Sequence, residues 1–135
     1  MKHVFYPKNL IIIAAVFLWI APTHAESTIT PQYQKCLDNV DLGAMKNTQW
    51  AACAEEEIKR QDVILNAEYR TLMTYLSSGQ RRALVTAQRS WLKFREDWCQ
   101  FEKLGNTAPG GYANYSSCFL DMTVEQIKKL KSNQH

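Results

Sequence analysis

A chain of 135 residues with 46% hydrophobic content has the length of one domain, and its composition is neither disordered nor collagen-like. Its 16 basic and 13 acidic residues give a formal charge of +3, which falls to +1 once Lys2 and Lys8 are set aside with the segment before Glu26. So small an imbalance gives no electrostatic case for nucleic acid or an anionic membrane as partner.

That first segment reads as an export signal over residues 1–25. Lys2, His3 and Lys8 make a weakly positive start, Leu10–Ile20 is an unbroken apolar run, and Thr23-His24-Ala25 supplies small residues for cleavage. The run is shorter than the roughly 20 residues a membrane-crossing helix needs. No cysteine follows the cleavage position, so no lipid anchor is expected after the signal is removed. The expected product is a domain over residues 26–135, free in the periplasm or secreted, with His135 as its one histidine.

The four cysteines, Cys36, Cys53, Cys99 and Cys118, all lie in that product, in an oxidising compartment. Their spacing has no C-x-x-C pair and no close pairs of the kind zinc sites use, so two disulfides are expected and no metal. Three connectivities are open. Sequential pairing, Cys36–Cys53 with Cys99–Cys118, closes two loops of similar size, but Cys53 and Cys99 fall at the same end of the hairpin described next, and that bridge also fits.

In chain order, Thr30-Pro31 reads as an N-cap and first turn of a short helix through Cys36 and Leu37. Asp38–Asn47 reads as a connection. A long helix follows from about Thr48 to Ser77, with Ile58, Leu65, Leu72 and Leu76 at heptad-like steps. Ser77-Ser78-Gly79 breaks it, and a second long helix runs from Gln80 to Leu104. On it Leu84, Ala87, Trp91, Phe94, Trp98 and Phe101 repeat at alternating steps of three and four, the spacing of one packed seam. Gly105–Gly111 has loop composition, Tyr112–Asp121 reads as helix, and Thr123-Val124-Glu125-Gln126 has the capping-box pattern before a last amphipathic stretch. The expectation is an all-α fold: a long antiparallel helical hairpin with short N- and C-terminal helices, stapled by two disulfides.

If the hairpin turns about residues 78–79, Asp62 faces Arg95, Asn66 faces Trp91 and Tyr69 faces Gln88. Asp62, Asn66 and Tyr69 share a face of their helix. We read Asp62, Asn66, Tyr69, Gln88 and Arg95 as a structural polar network that fixes register, since buried charges need partners. Glu55-Glu56-Glu57 reads as an acidic run on a solvated face near a helix start. The product lacks Gly-x-Ser-x-Gly, a phosphate loop and a metal-ligand cluster, so no catalytic residue and no cofactor are expected.

These residues carry a resemblance. Cys53, Asp62-x-x-Leu65-Asn66-x-x-Tyr69, Leu84-x-x-Ala87-Gln88-Arg89-x-Trp91-x-x-Phe94-Arg95-x-x-x-Cys99, Gly110-Gly111 and Cys118 resemble the LprI family of small exported bacterial proteins, named for a lysozyme inhibitor. The match runs from Cys36 to about Leu130, with Gln126 standing where the family often has Arg. The resemblance implies a helical, disulfide-bonded envelope protein that inhibits lysozyme-type muramidases, and therefore a protein partner. The candidate contact segment is Asn106–Ser117, offering Asn106, Tyr112, Asn114 and Tyr115. The bland alternative packs Tyr112 and Tyr115 on the core. Two other functions compete: an envelope interaction module or immunity protein that does not inhibit lysozyme, and, with less support, a small hydrolase using carboxylates alone.

Overall fold

Four helices make up the computed structural model, which describes residues 29–135; the expected export signal lies outside the described residues. They are α1 (Pro31–Asp38), α2 (Lys46–Tyr75), α3 (Ser78–Leu104) and α4 (Gly110–Lys131), with no strand among the described residues. Thr30 caps α1, its hydroxyl accepting from the Tyr33 amide, with Pro31 in the first turn. The hairpin turn is shorter than the Ser-Ser-Gly break suggests. Leu76 ends α2, and Ser77 opens α3 in a reciprocal capping box with Gln80, which leaves Gly79 inside the helix.

Both disulfides follow the sequential pairing: Cys36–Cys53 joins α1 to α2, and Cys99–Cys118 joins α3 to α4. The C-terminal part is a single 22-residue helix instead of two short pieces. Thr123 does not cap it, because its hydroxyl donates to the Phe119 carbonyl at 2.7 Å, inside one continuous helix. A 22-residue α4 is about 33 Å long at 1.5 Å per residue. It packs closely along both α2 and α3, whereas α2 and α3 make no comparable approach to each other. The hairpin is therefore opened by a third helix, giving an up-down-up bundle with α1 laid on α2.

The core follows from this placement. One cluster, Leu65, Leu72, Ile127 and Leu130, joins α2 to α4 toward the hairpin turn, with Leu84 and Trp91 of α3 against it. A second, Ala54, Leu120 and Val124, sits toward the open end under Ile29 and Tyr33. On α3 the expected packed seam is only partly used. Leu84 and Trp91 reach the core, but Phe94, Trp98 and Phe101 are 53%, 45% and 64% exposed, and the buried residues of α3 are Arg95 and Cys99. A single facing helix covers a single stripe, and α4 covers the one through Arg95 and Cys99.

The loop between α3 and α4 depends on close backbone approach. A Cβ on Gly111 would stand 2.6 Å from the Lys103 carbonyl oxygen and 2.9 Å from that of Asn106, both backbone atoms unable to swing aside. We predict that Gly111→Ala lowers stability by about 1–3 kcal/mol through overpacking, read as a lower urea midpoint at unchanged m-value. A neutral result would mean that the loop backbone relaxes freely.

Candidate functional site

The most buried charge on α3 is Arg95, 6% exposed. Its Nη1 donates to Thr123 Oγ1 of α4 at 2.7 Å and to Asp62 Oδ1 of α2 at 3.3 Å. Its guanidinium lies between the rings of Phe119, 3.9 Å from the centroid, and Trp91, at 4.7 Å. One side chain thus ties all three long helices together, and the Asp62–Arg95 pairing matches the expected hairpin register. Thr123 can accept from Arg95 because its own proton goes to the Phe119 carbonyl.

The other residues of the expected network do not close on one another. Asn66 Nδ2 donates to the Asp62 carbonyl of its own helix at 2.8 Å, and Gln88 Oε1 accepts from Gln126 Nε2 of α4 at 2.8 Å. Tyr69 packs by its ring against the Leu65–Leu72 cluster. Asn66, Tyr69, Gln88 and Arg95 are nevertheless brought together, with Asp62 and Arg89, along an open groove of about 520 Å³ between α2 and α3.

The expected contact segment divides in two. Only Gly105–Pro109 is loop; α4 begins at Gly110. Asn106 is exposed on the loop, its Oδ1 accepting from the Thr107 amide at 2.8 Å. Tyr112 is 54% exposed beneath the Lys103 ammonium, 4.5 Å from its ring centroid. Asn114 faces a groove beside Trp98. Tyr115 is a tie within the bundle: its hydroxyl donates to Glu96 at 2.9–3.0 Å and its ring stacks on Phe119 at 5.6 Å. Burial, then the Glu96 carboxylate, pushes its pKa up to about 12.

Sequence reasoning missed the face between α3 and α4. Phe94, Trp98 and Phe101 form a ladder of rings with centroids 5.9 and 5.5 Å apart. Beside it runs a groove of about 450 Å³ lined by Trp98, Glu102, Asn114, Ser117, Asp121 and Glu125, among others. None of its three carboxylates is in an ion pair among the described residues. Burial, then the neighbouring Glu125, raises the pKa of Asp121, as expected for a partly desolvated carboxylate with no cation beside it. The available signal was an aromatic repeat on α3 too wide for one helix to cover.

Also missed was Glu57, read as part of a solvated run and in fact fully buried. α2 begins at Lys46, so the three acids lie well inside the helix, beyond reach of its terminal dipole. Glu57 Oε1 accepts from the Thr30 amide at 2.8 Å and from Gln61 Nε2 at 2.7 Å, while Oε2 accepts from Thr30 Oγ1 at 2.5 Å and from Arg60 Nε at 2.8 Å. Burial works to raise its pKa, but these hydrogen bonds outweigh it and hold the group below its ordinary value. Glu55 and Glu56 are exposed as expected. No group of three or more histidine, cysteine, aspartate or glutamate side chains could hold a metal among the described residues, and no helix there is long and apolar enough to cross a membrane.

Fold and surface together define a small, doubly disulfide-stapled helical domain whose unpartnered features are grooves and an aromatic face. The chain belongs to the lysozyme inhibitor LprI family, whose family model matches residues 41–130, two thirds of its length. It is also similar to an uncharacterized protein of Rhizobium meliloti (strain 1021), 26% identical over 127 residues that span 82% of this chain and 84% of the relative. No solved structure matches the chain.

Proposed function

We propose that this protein is an exported inhibitor that binds a peptidoglycan-cleaving enzyme and docks on it through the α3–α4 face. The observation that carries the reading is the exposed ladder Phe94–Trp98–Phe101 beside the unpaired carboxylates Glu102, Asp121 and Glu125. Exposed aromatic rings in series are uncommon on a domain with no partner, and tryptophan is among the residues that most often anchor protein interfaces. The carboxylates select the partner's charge. An enzyme that works on the anionic cell wall gains from a basic surface, and a lysine or arginine on it would find an indole wall and acidic acceptors in one groove. Local charge thus supplies what a near-neutral total does not. Membership of a family of lysozyme inhibitors supports the class of partner, and two disulfides support an oxidising compartment outside the cytoplasm.

The test is clearing of a cell-wall suspension by lysozyme in the presence of the oxidised mature protein. We predict that wild type slows clearing at stoichiometric amounts. Trp98→Ala should weaken this by about 30-fold or more, the scale of a truncated interface anchor, and Asp121→Lys should weaken it further as salt is lowered. Full inhibition by both variants would move the binding face elsewhere. Absence of slowing by wild type at stoichiometric excess would remove the inhibitor reading for the lysozymes tried.

A further inference from the structure

Three openings between α3 and α4 adjoin end to end. A cavity of about 640 Å³ at the hairpin-turn end meets one of about 210 Å³, and that one meets the groove of about 450 Å³ beside Trp98. Trp91, Gln126 and Lys129 line the first and the second, and Met122 and Glu125 line the second and the third. From Leu84 to Glu102 this channel is about 27 Å long at 1.5 Å per residue. At the turn end Leu84 and Trp91 of α3 face Leu130 of α4, and the exposed Ala83 and Ala87 leave the α3 side low. Phe94 and Trp98 come next, while Glu125, Asp121 and Glu102 succeed one another toward the open end. Lys129, at the turn end, has no ion pair among the described residues.

We infer that this channel takes an amphipathic helix of a partner, with its apolar stripe along Leu84, Trp91, Phe94 and Trp98 and one basic half against Glu125, Asp121 and Glu102. The location rests on the docking face proposed above. The geometry selects a helix. Leu84, Ala87, Trp91, Phe94 and Trp98 recur at steps of three and four, the kind of row against which a second helix packs. The buried residues of α3 are Arg95 and Cys99, so the bundle covers one stripe of this helix and leaves the adjoining one open to a fourth. The small Ala83 and Ala87 let that helix come close. Backbone groups of α3 and α4 are spent within their own helices, so an extended strand finds no edge here, whereas a helix arrives with its backbone already paired. Charge selects among helices. The carboxylates outnumber the lysine, so a second copy of this face would set like charge against like, and an anionic lipid surface would be repelled.

The probe is a synthetic peptide of about 18 residues, the length of the channel, with leucines at steps of three and four, lysines flanking them in one half, and alanine and glutamine elsewhere. One control shuffles the same residues off the stripe, and another has glutamate for every lysine. Titrated into the oxidised mature chain labelled with nitrogen-15, the striped basic peptide should shift the indole N–H signals of both Trp91 and Trp98 saturably. It should become helical as it binds, and bind at least about tenfold tighter than either control. Ala87→Arg fills the low stretch about three turns from Trp98. It should weaken the peptide about tenfold or more, and the exposed position should keep the unfolding midpoint near wild type. The same variant separates helix docking from muramidase docking. Peptide binding without slowing of any lysozyme keeps the helix site and removes the muramidase. Lysozyme inhibition that Ala87→Arg leaves intact keeps the muramidase and removes the helix, because a single basic side chain at Trp98 then suffices. Equal affinity for striped and shuffled peptides, an unmoved Trp91 signal at saturation, or no binding at millimolar peptide would overturn the site. So would dimerisation of the free chain that Trp98→Ala abolishes, since the face would then belong to a second copy.

Discussion

Replacing Glu57 with leucine should destabilise the protein by about 3–5 kcal/mol, the scale for removing one partner of a buried ion pair. The carboxylate is fully buried on α2 and accepts four hydrogen bonds, two of them from Thr30, the cap of α1. Leucine takes away the acceptors of the Thr30 amide and hydroxyl in a buried site and removes the carboxylate that pairs with Arg60. α1 has no buried residue of its own, so its attachment rests on this carboxylate, on Ile29 and Tyr33 at the lower core cluster, and on Cys36–Cys53. Chemical unfolding would show the global loss, and hydrogen exchange should show the α1 amides released first. A change below 1 kcal/mol would mean that solvent reaches the site.

Glu57 also gives the acid limb of stability a sign. Its folded pKa lies below the ordinary 4.5, so its contribution is complete above that value and is lost as pH falls through the folded pKa. Asp121 is shifted the other way. Its contribution is complete below its ordinary 3.8 and is lost as pH rises through its raised folded value. Unfolding free energy should therefore fall from pH 5 toward pH 3 in wild type, and fall less steeply in Glu57→Gln. Asp121→Asn should make the fall steeper, because it removes the opposing contribution.

The helices, their break and the Asp62–Arg95 register were legible because period and turn position are local properties of a sequence. Once the turn is placed near Ser77, facing residues follow by counting. Disulfide pairing was only partly legible: loop sizes favoured the sequential bonds, while the hairpin alone left Cys53 and Cys99 as candidates. Two failures share one cause, the path of α4. Thr123 reads as a cap because Ser or Thr three residues ahead of Gln or Glu has that pattern at a helix start, yet this threonine lies mid-helix, where Arg95 needs an acceptor. The α3 seam reads as packed because period alone does not say which part of a wide stripe the next helix will cover. Glu57 is different, since a signal was present. It falls on the stripe of Ala54, Gln61, Leu65 and Leu72, all buried, whereas Glu55 and Glu56 fall off it. Its charge hid that register, and the partner explaining the burial, Thr30, is 27 residues away.

The second large effect belongs to the disulfides, and the two bonds should behave differently. They close loops of 17 and 19 residues. By the chain-entropy relation each limits the unfolded ensemble by about 3 kcal/mol. Cys99 is fully buried where α3 meets α4, beside Met122, so Cys99→Ala with Cys118→Ala removes both the crosslink and packing at the helix pair that holds Arg95 and Thr123. The expected result is a global loss of about 3 kcal/mol or more, with all amides of α3 and α4 losing protection together. Cys36→Ala with Cys53→Ala frees a helix that contributes no buried residue, so it should add a separate opening of α1 at lower free energy while the three-helix core retains its own protection. The order of effects is the informative part. If the α1 pair costs as much core protection as the α3–α4 pair, then α1 is an integral part of the folding unit, and the three long helices do not form a bundle that stands without it.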